Sequence, residues 1–307
     1  ITILDESKVI DVARAIASSD VDAVAVSLLH SYQNPNHERR IREILQHESP
    51  DIIVCISSDI MPEIGEYERT STTICNAYVL PTFTRYLARL TNRFHKMGVN
   101  KDLYLMLSDG GTVHESTAAI YPIRLVQSGP AGGAQAAVAI NKITDNKDNQ
   151  GNILCFDMGG TTAKACLVED GKPMHANEFE VARIFRGKKG SGIPLKIPVI
   201  EMIEIGAGGG SIARLDNLGL IQVGPESAGA DPGPACYGLG GQKATVTDAD
   251  LILGYLAADN FLGGDIQLDI EASKTAVKNT IAKPLGLSVV DAAWAIHETV
   301  NESMGQA

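Results

Sequence analysis

The chain has 307 residues, of which 44% are hydrophobic and 21% are charged, so it can bury a large core in one domain or two. Its formal net charge is −11, and the acidic residues are spread along the sequence. Non-specific nucleic-acid binding requires a basic surface, so this charge argues against a nucleic-acid partner. No apolar run approaches the ~20 residues that cross a bilayer, and we expect no membrane partner.

The cysteines are odd in number, widely spaced and form no CxxC pair. Several lie in apolar, strand-like runs, where cysteine usually acts as a small hydrophobic residue. We predict structural roles rather than metal or redox roles, and a reducing, cytoplasmic compartment. The residues concerned are Cys55, Cys75, Cys155, Cys166 and Cys236.

Strand patterns and helix patterns alternate along the first part of the chain. Apolar runs rich in Val, Ile and Ala predict strands, and longer amphipathic runs predict helices. The predicted strands are residues 21–32, 51–60 and 102–111, and the predicted helices are residues 34–48, 70–99 and 125–143. Alternation at this spacing predicts an α/β architecture.

Two prolines bear on the helix ends. Asn34 is predicted as the N-cap of the helix at 34–48, with Pro35 at its first helical position. Pro81 lies inside the long helical pattern at 70–99 and predicts a kink or a boundary there.

The sequence ILCFDMGGTTAKACLV, residues 153–168, begins a second α/β unit. A buried strand carries Asp157 to its end, and Gly159 and Gly160 then turn the chain tightly. Bare backbone N–H groups, together with the hydroxyls of Thr161 and Thr162, can cradle phosphate oxygens. An acid beside phosphates normally holds Mg²⁺, often through water. The alternative is an ordinary hairpin with glycines at its corner.

The turn is not a Walker loop, because no GxxxxGK[ST] occurs and Lys164 follows the turn rather than preceding it. A second glycine-rich segment, residues 204–216, places Gly206, Gly208, Gly209 and Gly210 within five positions. Glycine weakens the interior of an element, so this density predicts a close backbone approach, either to a flat ligand or to a neighbouring helix.

A small-residue helix, then strand–DxGGT–strand, then a glycine loop resembles the second half of the actin-like ATPase fold. The similarity can be narrowed to one family. Seven ordered segments resemble the hydantoinase A/5-oxoprolinase family: HSYQNPNHE, PEIGEYERTSTTICNAYV, SGPAGGAQAA, DMGGTTAK, IEIGAGGGSIARLD, VGPESAGADPGPACYG and TVTDADLILGYL.

The resemblance implies an actin-like ATPase (ribonuclease H-like) fold, with residues 1–128 remaining from a first α/β domain and residues 129–307 forming the second. It implies that ATP and Mg²⁺ are used and that Asp157 holds the metal. The phosphate loop would be Gly159, Gly160, Thr161 and Thr162, and the adenosine loop would be Gly206, Gly208, Gly209, Gly210 and Ser211.

The implied activity is ATP-dependent hydrolysis of a cyclic amide of the hydantoin or 5-oxoproline class, with a second, different subunit as partner. Two alternatives stay open: a subunit of an ATP-dependent ketone carboxylase, and a non-catalytic nucleotide-gated module. One departure weakens the substrate assignment, because this chain has Glu201-Met202-Ile203 where many members read Asp-Ile-His.

The family also carries an earlier DxGGT loop, and residues 1–156 contain none. We therefore expect that the first phosphate loop and part of the first domain are missing from this chain. We also expect this chain alone to bind nucleotide weakly or not at all, and to be inactive.

Other candidate residues carry weaker signals. Asp248 could contact a metal or substrate, or could cap the helix that follows it. His30 lies at a strand end, where catalytic groups of α/β proteins are often found. Asp231 is predicted to brace its glycine- and proline-rich loop by side-chain-to-backbone bonding. The charged group Glu66, Glu68 and Arg69 is either a solvated helix start or part of a substrate or domain-closure site.

Overall fold

A computed structural model describes residues 2–143, 152–184 and 190–306. The helices are α1 (Glu6–Ala17), α2 (Asn36–Glu48), α3 (Ser57–Ile60), α4 (Glu66–Lys96), α5 (Glu115–Ala118), α6 (Ser128–Ile143), α7 (Val246–Leu253), α8 (Ile270–Val277), α9 (Lys283–Leu285) and α10 (Val289–Gly305).

The strands are β1 (Ala23–Val26), β2 (Ile53–Ile56), β3 (Tyr104–Met106), β4 (Thr112–His114), β5 (Ile153–Met158), β6 (Ala163–Glu169), β7 (Lys172–Pro173), β8 (His175–Ala176), β9 (Phe179–Val181), β10 (Ile193–Leu195), β11 (Val199–Ile200), β12 (Ile203–Ile205), β13 (Ser211–Leu215) and β14 (Ile221–Ser227).

Contacts divide the chain into two compact units. Unit 1 comprises Ile1–Ile153 and Val168–Glu201, and unit 2 comprises Leu154–Leu167 and Met202–Ala307. The predicted domain boundary near residue 128 concerns the domains of the ATPase fold and stays a prediction.

Strands β1 and β2 of unit 1 pair in parallel, in the register Ala23↔Ile53 to Val26↔Ile56. Alternate side chains point to opposite faces of a strand, and both faces of this pair are covered. Val26 and Ile56 belong to a core with residues of α1 and α2. Cys55 belongs to another core that includes residues of α4. Burial on both faces explains why these strands read as continuous apolar runs, as parallel strands usually do.

Helix α2 begins at Asn36, one residue after the predicted first helical residue, Pro35. Pro35, not Asn34, is the N-cap, and the helix runs from Asn36. The ring fixes Pro35 near helical φ, and its carbonyl accepts the Arg39 N–H at 2.9 Å. Asn34 still contributes, because its Oδ1 accepts the Asn36 N–H at 3.2 Å.

Helix α4 runs without interruption through Pro81, so the predicted boundary there is wrong. Proline inside a helix costs roughly 3 kcal/mol because it removes a hydrogen bond and crowds the preceding turn. Burial offsets that cost here, since Ala77, Leu80, Pro81 and Leu87 all lie in the interior.

Strand β3 is followed by β4 in an antiparallel hairpin, and the sequence pattern predicts β3 alone.

Unit 2 holds the strand order β12–β6–β5, together with the antiparallel pair β13–β14. Its main core joins small residues of the strands to apolar residues of α7, α8 and α10, among them Ala213, Val277 and Ile296. Among the described residues, no helix combines the length and apolar character needed to cross a membrane.

A buried carboxylate holds the ends of β1 and β2 together in unit 1. Glu38, on α2, accepts hydrogen bonds from the Leu28 N–H at 2.8 Å, the Ser57 hydroxyl at 2.7 Å and the Ser58 N–H at 2.8 Å. Burial opposes its ionisation, but the hydrogen bonds outweigh burial and hold the pKa of Glu38 below its ordinary value. The ionised carboxylate is therefore part of the folded structure.

This network predicts an acid-dependent loss of stability. A depressed pKa stabilises the fold above the ordinary value of 4.5, and that stabilisation disappears as pH falls through the folded pKa. The Glu38→Gln substitution replaces one carboxylate oxygen with an NH₂ group. That group faces protein donors and cannot accept their hydrogen bonds. It should lower the free energy of unfolding by about 2 kcal/mol at pH 7 and flatten the loss of stability below about pH 5.

Urea denaturation as a function of pH measures both effects. Glu43→Gln is the matched control, because Glu43 lies on the same helix but is exposed and, within the described part of the chain, pairs only with the exposed Arg40. Its effect should stay within about 0.5 kcal/mol. An equal acid dependence in wild type and Glu38→Gln would contradict the prediction.

Candidate functional site

The acid–glycine–threonine segment forms an exposed turn in unit 2. Strand β5 carries Asp157 to the surface, and the Gly159 N–H donates to the Thr162 carbonyl at 2.9 Å to close the turn. Within the described part of the chain, the N–H groups of Gly160 and Thr161 donate to no protein acceptor. Free N–H groups, a nearby hydroxyl and one exposed carboxylate suit an anion that is accompanied by a cation.

The glycine loop, residues 206–211, packs its backbone directly against this turn. A Cβ added at Gly208 would lie 2.6 Å from the Gly159 oxygen and 2.8 Å from the Thr162 nitrogen. A Cβ added at Gly210 would lie 2.9 Å from the Gly160 oxygen. The close backbone approach that the glycines predicted is therefore present, and the partner is the turn.

Hydrogen bonds fix the two loops together. The Gly209 N–H donates to the Gly159 carbonyl at 3.0 Å, and the Gly210 N–H donates to the Gly160 carbonyl at 2.6 Å. The Ser211 hydroxyl oxygen accepts the Gly208 N–H at 2.9 Å. The glycine loop thus determines where the turn sits, and its predicted contact with adenosine stays a prediction.

Lys164 reaches back toward the turn from β6. Its Nζ lies 3.5 Å from the Thr162 Oγ1 and 3.9 Å from the Glu204 Oε1 on the paired strand β12. The sequence pattern alone does not predict a role for this lysine, because it follows the turn. The signal that could have found it is the two-residue period of a strand, which places residues 162 and 164 on one face.

Asp248 has a structural role. It is the third residue of α7 and forms a capping box with Thr245, which is the N-cap. Its buried carboxylate accepts from the Thr245 N–H and hydroxyl, the Ala235 and Cys236 N–H groups, and the Ser273 hydroxyl, at 2.7–3.2 Å. Five protein donors leave no room for a cation, so we do not carry the predicted metal role forward.

The same carboxylate, and not Asp231, holds the glycine- and proline-rich loop. Asp231 is exposed, and the described structure gives its side chain no hydrogen bond to the backbone, contrary to the prediction. Asp248 instead binds the N–H groups of Ala235 and Cys236 from outside the loop. Burial, together with the negative charge of Asp248, raises the pKa of the Cys236 thiol to about 12.

His30 and the charged group at the start of α4 come together in unit 1. His30 has a φ of +57°, its backbone N–H donates to the Glu66 Oε1 at 3.1 Å, and its imidazole is exposed. Glu66 also pairs with Arg69, which is fully buried and donates to the Ser57 hydroxyl and the Leu28 carbonyl. Glu66 and Arg69 are thus built into the fold, while the His30 ring faces solvent.

The cysteines are free thiols, and burial raises the pKa of each. Thiols that stay protonated are poor nucleophiles, which agrees with structural roles. Among the described residues, no group of three or more His, Cys, Asp or Glu side chains could hold a metal. The lysines of RGKKGSG, Lys188 and Lys189, lie outside the described residues.

Comparison with known proteins shows the family. The sequence model of Hydantoinase/oxoprolinase matches residues 69–307, and that of the Hydantoinase/oxoprolinase N-terminal region matches residues 1–49. An uncharacterized protein of Methanocaldococcus jannaschii is 42% identical over 100% of this chain and 45% of its own length. Caprolactamase subunit alpha of Pseudomonas jessenii is 38% identical over 98% of this chain and 41% of its own length.

A nucleotide-free structure of acetone carboxylase superposes with a TM-score of 0.80 at 35% identity, covering 98% of this chain and 41% of that one. The chain therefore spans less than half the length of these relatives. Its fold is that of the actin-like ATPases, as the sequence predicted. The chain belongs to the hydantoinase/oxoprolinase family, which confirms the resemblance drawn from its seven segments.

The contact between the loops predicts the effect of adding one methyl group. Gly208→Ala places a Cβ within 2.6–2.8 Å of backbone atoms that cannot rotate away, so the two loops must separate. We expect a loss of about 1–3 kcal/mol in the free energy of unfolding, measured by urea denaturation. Gly160→Ala is the matched control, since its Cβ meets nothing within 4 Å. Equal losses in the two variants would show that the contact is not tight.

Proposed function

We propose that this chain carries one phosphate-binding loop of an ATP-dependent enzyme that hydrolyses a cyclic amide of the hydantoin or 5-oxoproline class. The observation that carries the proposal is the exposed Asp157 turn, whose N–H groups at Gly160 and Thr161 donate to no acceptor among the described residues. Such N–H groups bind phosphate oxygens in many nucleotide sites. Residues 159–162 would hold the phosphates, and the glycine loop would keep that turn in position.

The site also suits Mg²⁺, which binds proteins through one or two carboxylates together with substrate phosphates. Asp157 is an exposed carboxylate at the end of β5, two residues before the turn. The absence of a larger acidic cluster among the described residues fits a metal shared with the nucleotide. Asp157 would hold the ion, the nucleotide phosphates and water would supply its other oxygen ligands, and the ion would neutralise phosphate charge.

The chemistry that this site would serve is the activation of a stable carbonyl. An amide oxygen that attacks the terminal phosphorus takes up the phosphoryl group and releases ADP. The carbon that bears the phosphorylated oxygen is more electrophilic than an amide carbon, so water can add to it. The ring carbon–nitrogen bond then breaks as nitrogen takes up a proton, and a second water hydrolyses the resulting acyl phosphate to the carboxylate and inorganic phosphate. Positioning and electrostatic stabilisation supply most of the rate in phosphoryl transfer, and Asp157 and the turn offer both.

His30 is the proposed acid or base for the amide, since its exposed imidazole is held beside Glu66. Relatives are named as subunits of multi-subunit enzymes, which supports a second, different subunit as partner. The predicted adenosine contact of residues 206–211 remains part of the proposal, beside their support of the turn. The cytoplasm is the proposed location.

A ketone carboxylase subunit is the second candidate, and the TM-score of 0.80 to acetone carboxylase favours it. The departure at Glu201-Met202-Ile203 also separates this chain from many cyclic amide hydrolases. Both candidates would use the same ATP step. Bicarbonate-dependent ATP hydrolysis by the full-length protein with its partner would support the carboxylase, and lactam-dependent hydrolysis would support the amide hydrolase.

Asp157→Asn in the full-length protein tests the shared ATP step. Loss of the carboxylate should lower substrate-dependent ATP hydrolysis by about 100-fold or more, because the cation that Asp157 would hold against the phosphates is bound less well. A coupled assay of ADP release measures this rate. Asp170→Asn is the control, because Asp170 is exposed and has a φ of 49°, which asparagine tolerates. Unchanged turnover in Asp157→Asn would favour the non-catalytic module.

A further inference from the structure

Lys164 is a charged group beside the turn that the proposed function does not yet use. It lies on β6 directly opposite Glu204 of β12, and its side chain is 19% exposed. Its Nζ lies 3.5 Å from the Thr162 Oγ1, which is one of the proposed phosphate ligands. The lysine therefore brings a positive charge to the edge of the turn from the strand that follows it.

The contacts of this ammonium group are long. A charge-assisted hydrogen bond between nitrogen and oxygen usually measures about 2.7–2.9 Å, whereas Glu204 is 3.9 Å away and Thr162 is 3.5 Å away. An ammonium group has three donors, and neither neighbour binds one of them tightly. Lys164 is thus partly desolvated and held near the turn, with capacity for a closer anion.

We infer that Lys164 binds a phosphate oxygen of the nucleotide held by the turn, an inference that rests on the proposed function. A phosphate oxygen that accepts from the Thr162 hydroxyl would lie about 2.7 Å from that oxygen atom. The Lys164 ammonium, 3.5 Å from the same hydroxyl, then reaches the phosphate with a small side-chain movement. Glu204 is the counter-ion of the lysine when no phosphate is bound.

This arrangement differs from a Walker loop, in which the lysine comes from the loop itself. Here the lysine comes from the strand after the turn, and the strand pairing Glu204↔Lys164 and Ile205↔Ala163 fixes its place. The chemical class of ligand is a nucleoside polyphosphate, recognised through its phosphate charge. Adenosine has no phosphate charge, so its affinity should not depend on Lys164.

Titration calorimetry of the full-length protein with ATP·Mg²⁺ tests the inference, with adenosine affinity measured by competition. Lys164→Met should weaken ATP binding by about 10–100-fold and leave adenosine affinity unchanged, whereas Lys164→Arg, which keeps the charge, should stay within about fivefold of wild type. Lys172→Met is the matched control, because Lys172 is an exposed lysine of β7, and it should bind ATP as wild type does.

Three outcomes would overturn the inference. Wild-type ATP affinity in Lys164→Met would show that the lysine only pairs with Glu204. Equal losses of ATP and adenosine affinity, with a lower melting temperature of the unliganded variant, would show structural damage instead. A wild-type protein that binds no nucleotide would overturn the proposed function and this inference together, and is recognised before any variant is made.

Discussion

The site in unit 2 depends on a contact between two pieces of backbone. The turn at residues 159–162 is a short loop without a buried side chain to anchor it, so its position must come from its neighbours. Gly208 and Gly210 allow the neighbouring loop to approach, and the N–H groups of Gly209 and Gly210 bind the turn carbonyls. This leaves the outward N–H groups of Gly160 and Thr161 in a fixed direction, which is what an anion site requires.

In unit 1, buried charged side chains hold the backbone segments in place. The segment that follows β1 is irregular and the segment that follows β2 begins the short helix α3, so both leave polar backbone groups that must find partners inside the protein. The Glu38 carboxylate accepts hydrogen bonds from both segments. The Arg69 guanidinium, which carries the opposite charge, donates to the Leu28 carbonyl. Burying such charges is costly unless each is fully bonded, and here each has several partners. His30 stands on this rigid base with its ring exposed.

Sequence reasoning predicted the elements whose patterns are local. Continuous apolar runs predicted β1 and β2, longer helical patterns predicted α2 and α6, and the order of motifs predicted the actin-like fold. The predictions from sequence were wrong where tertiary contacts determine the local structure. Pro81 stays inside α4 because its surroundings are buried, and Asp248 is fully occupied because Ala235, Cys236 and Ser273 converge on it. Neither environment can be read from neighbours in sequence, and the reach of Lys164 across to Glu204 depends on strand register.

The five hydrogen bonds of Asp248 have a consequence for how unit 2 opens. One carboxylate joins the start of α7, the Ala235–Tyr237 turn and Ser273 of α8, which are separate in sequence. Breaking any one of these contacts leaves the buried carboxylate short of a donor, so they should open as one cooperative group. The amide hydrogens of Ala235, Cys236 and Thr245 would then exchange with solvent at a common rate. In its stability, the Ala235–Tyr237 turn would therefore belong to the helical core of unit 2 rather than to the flexible surface.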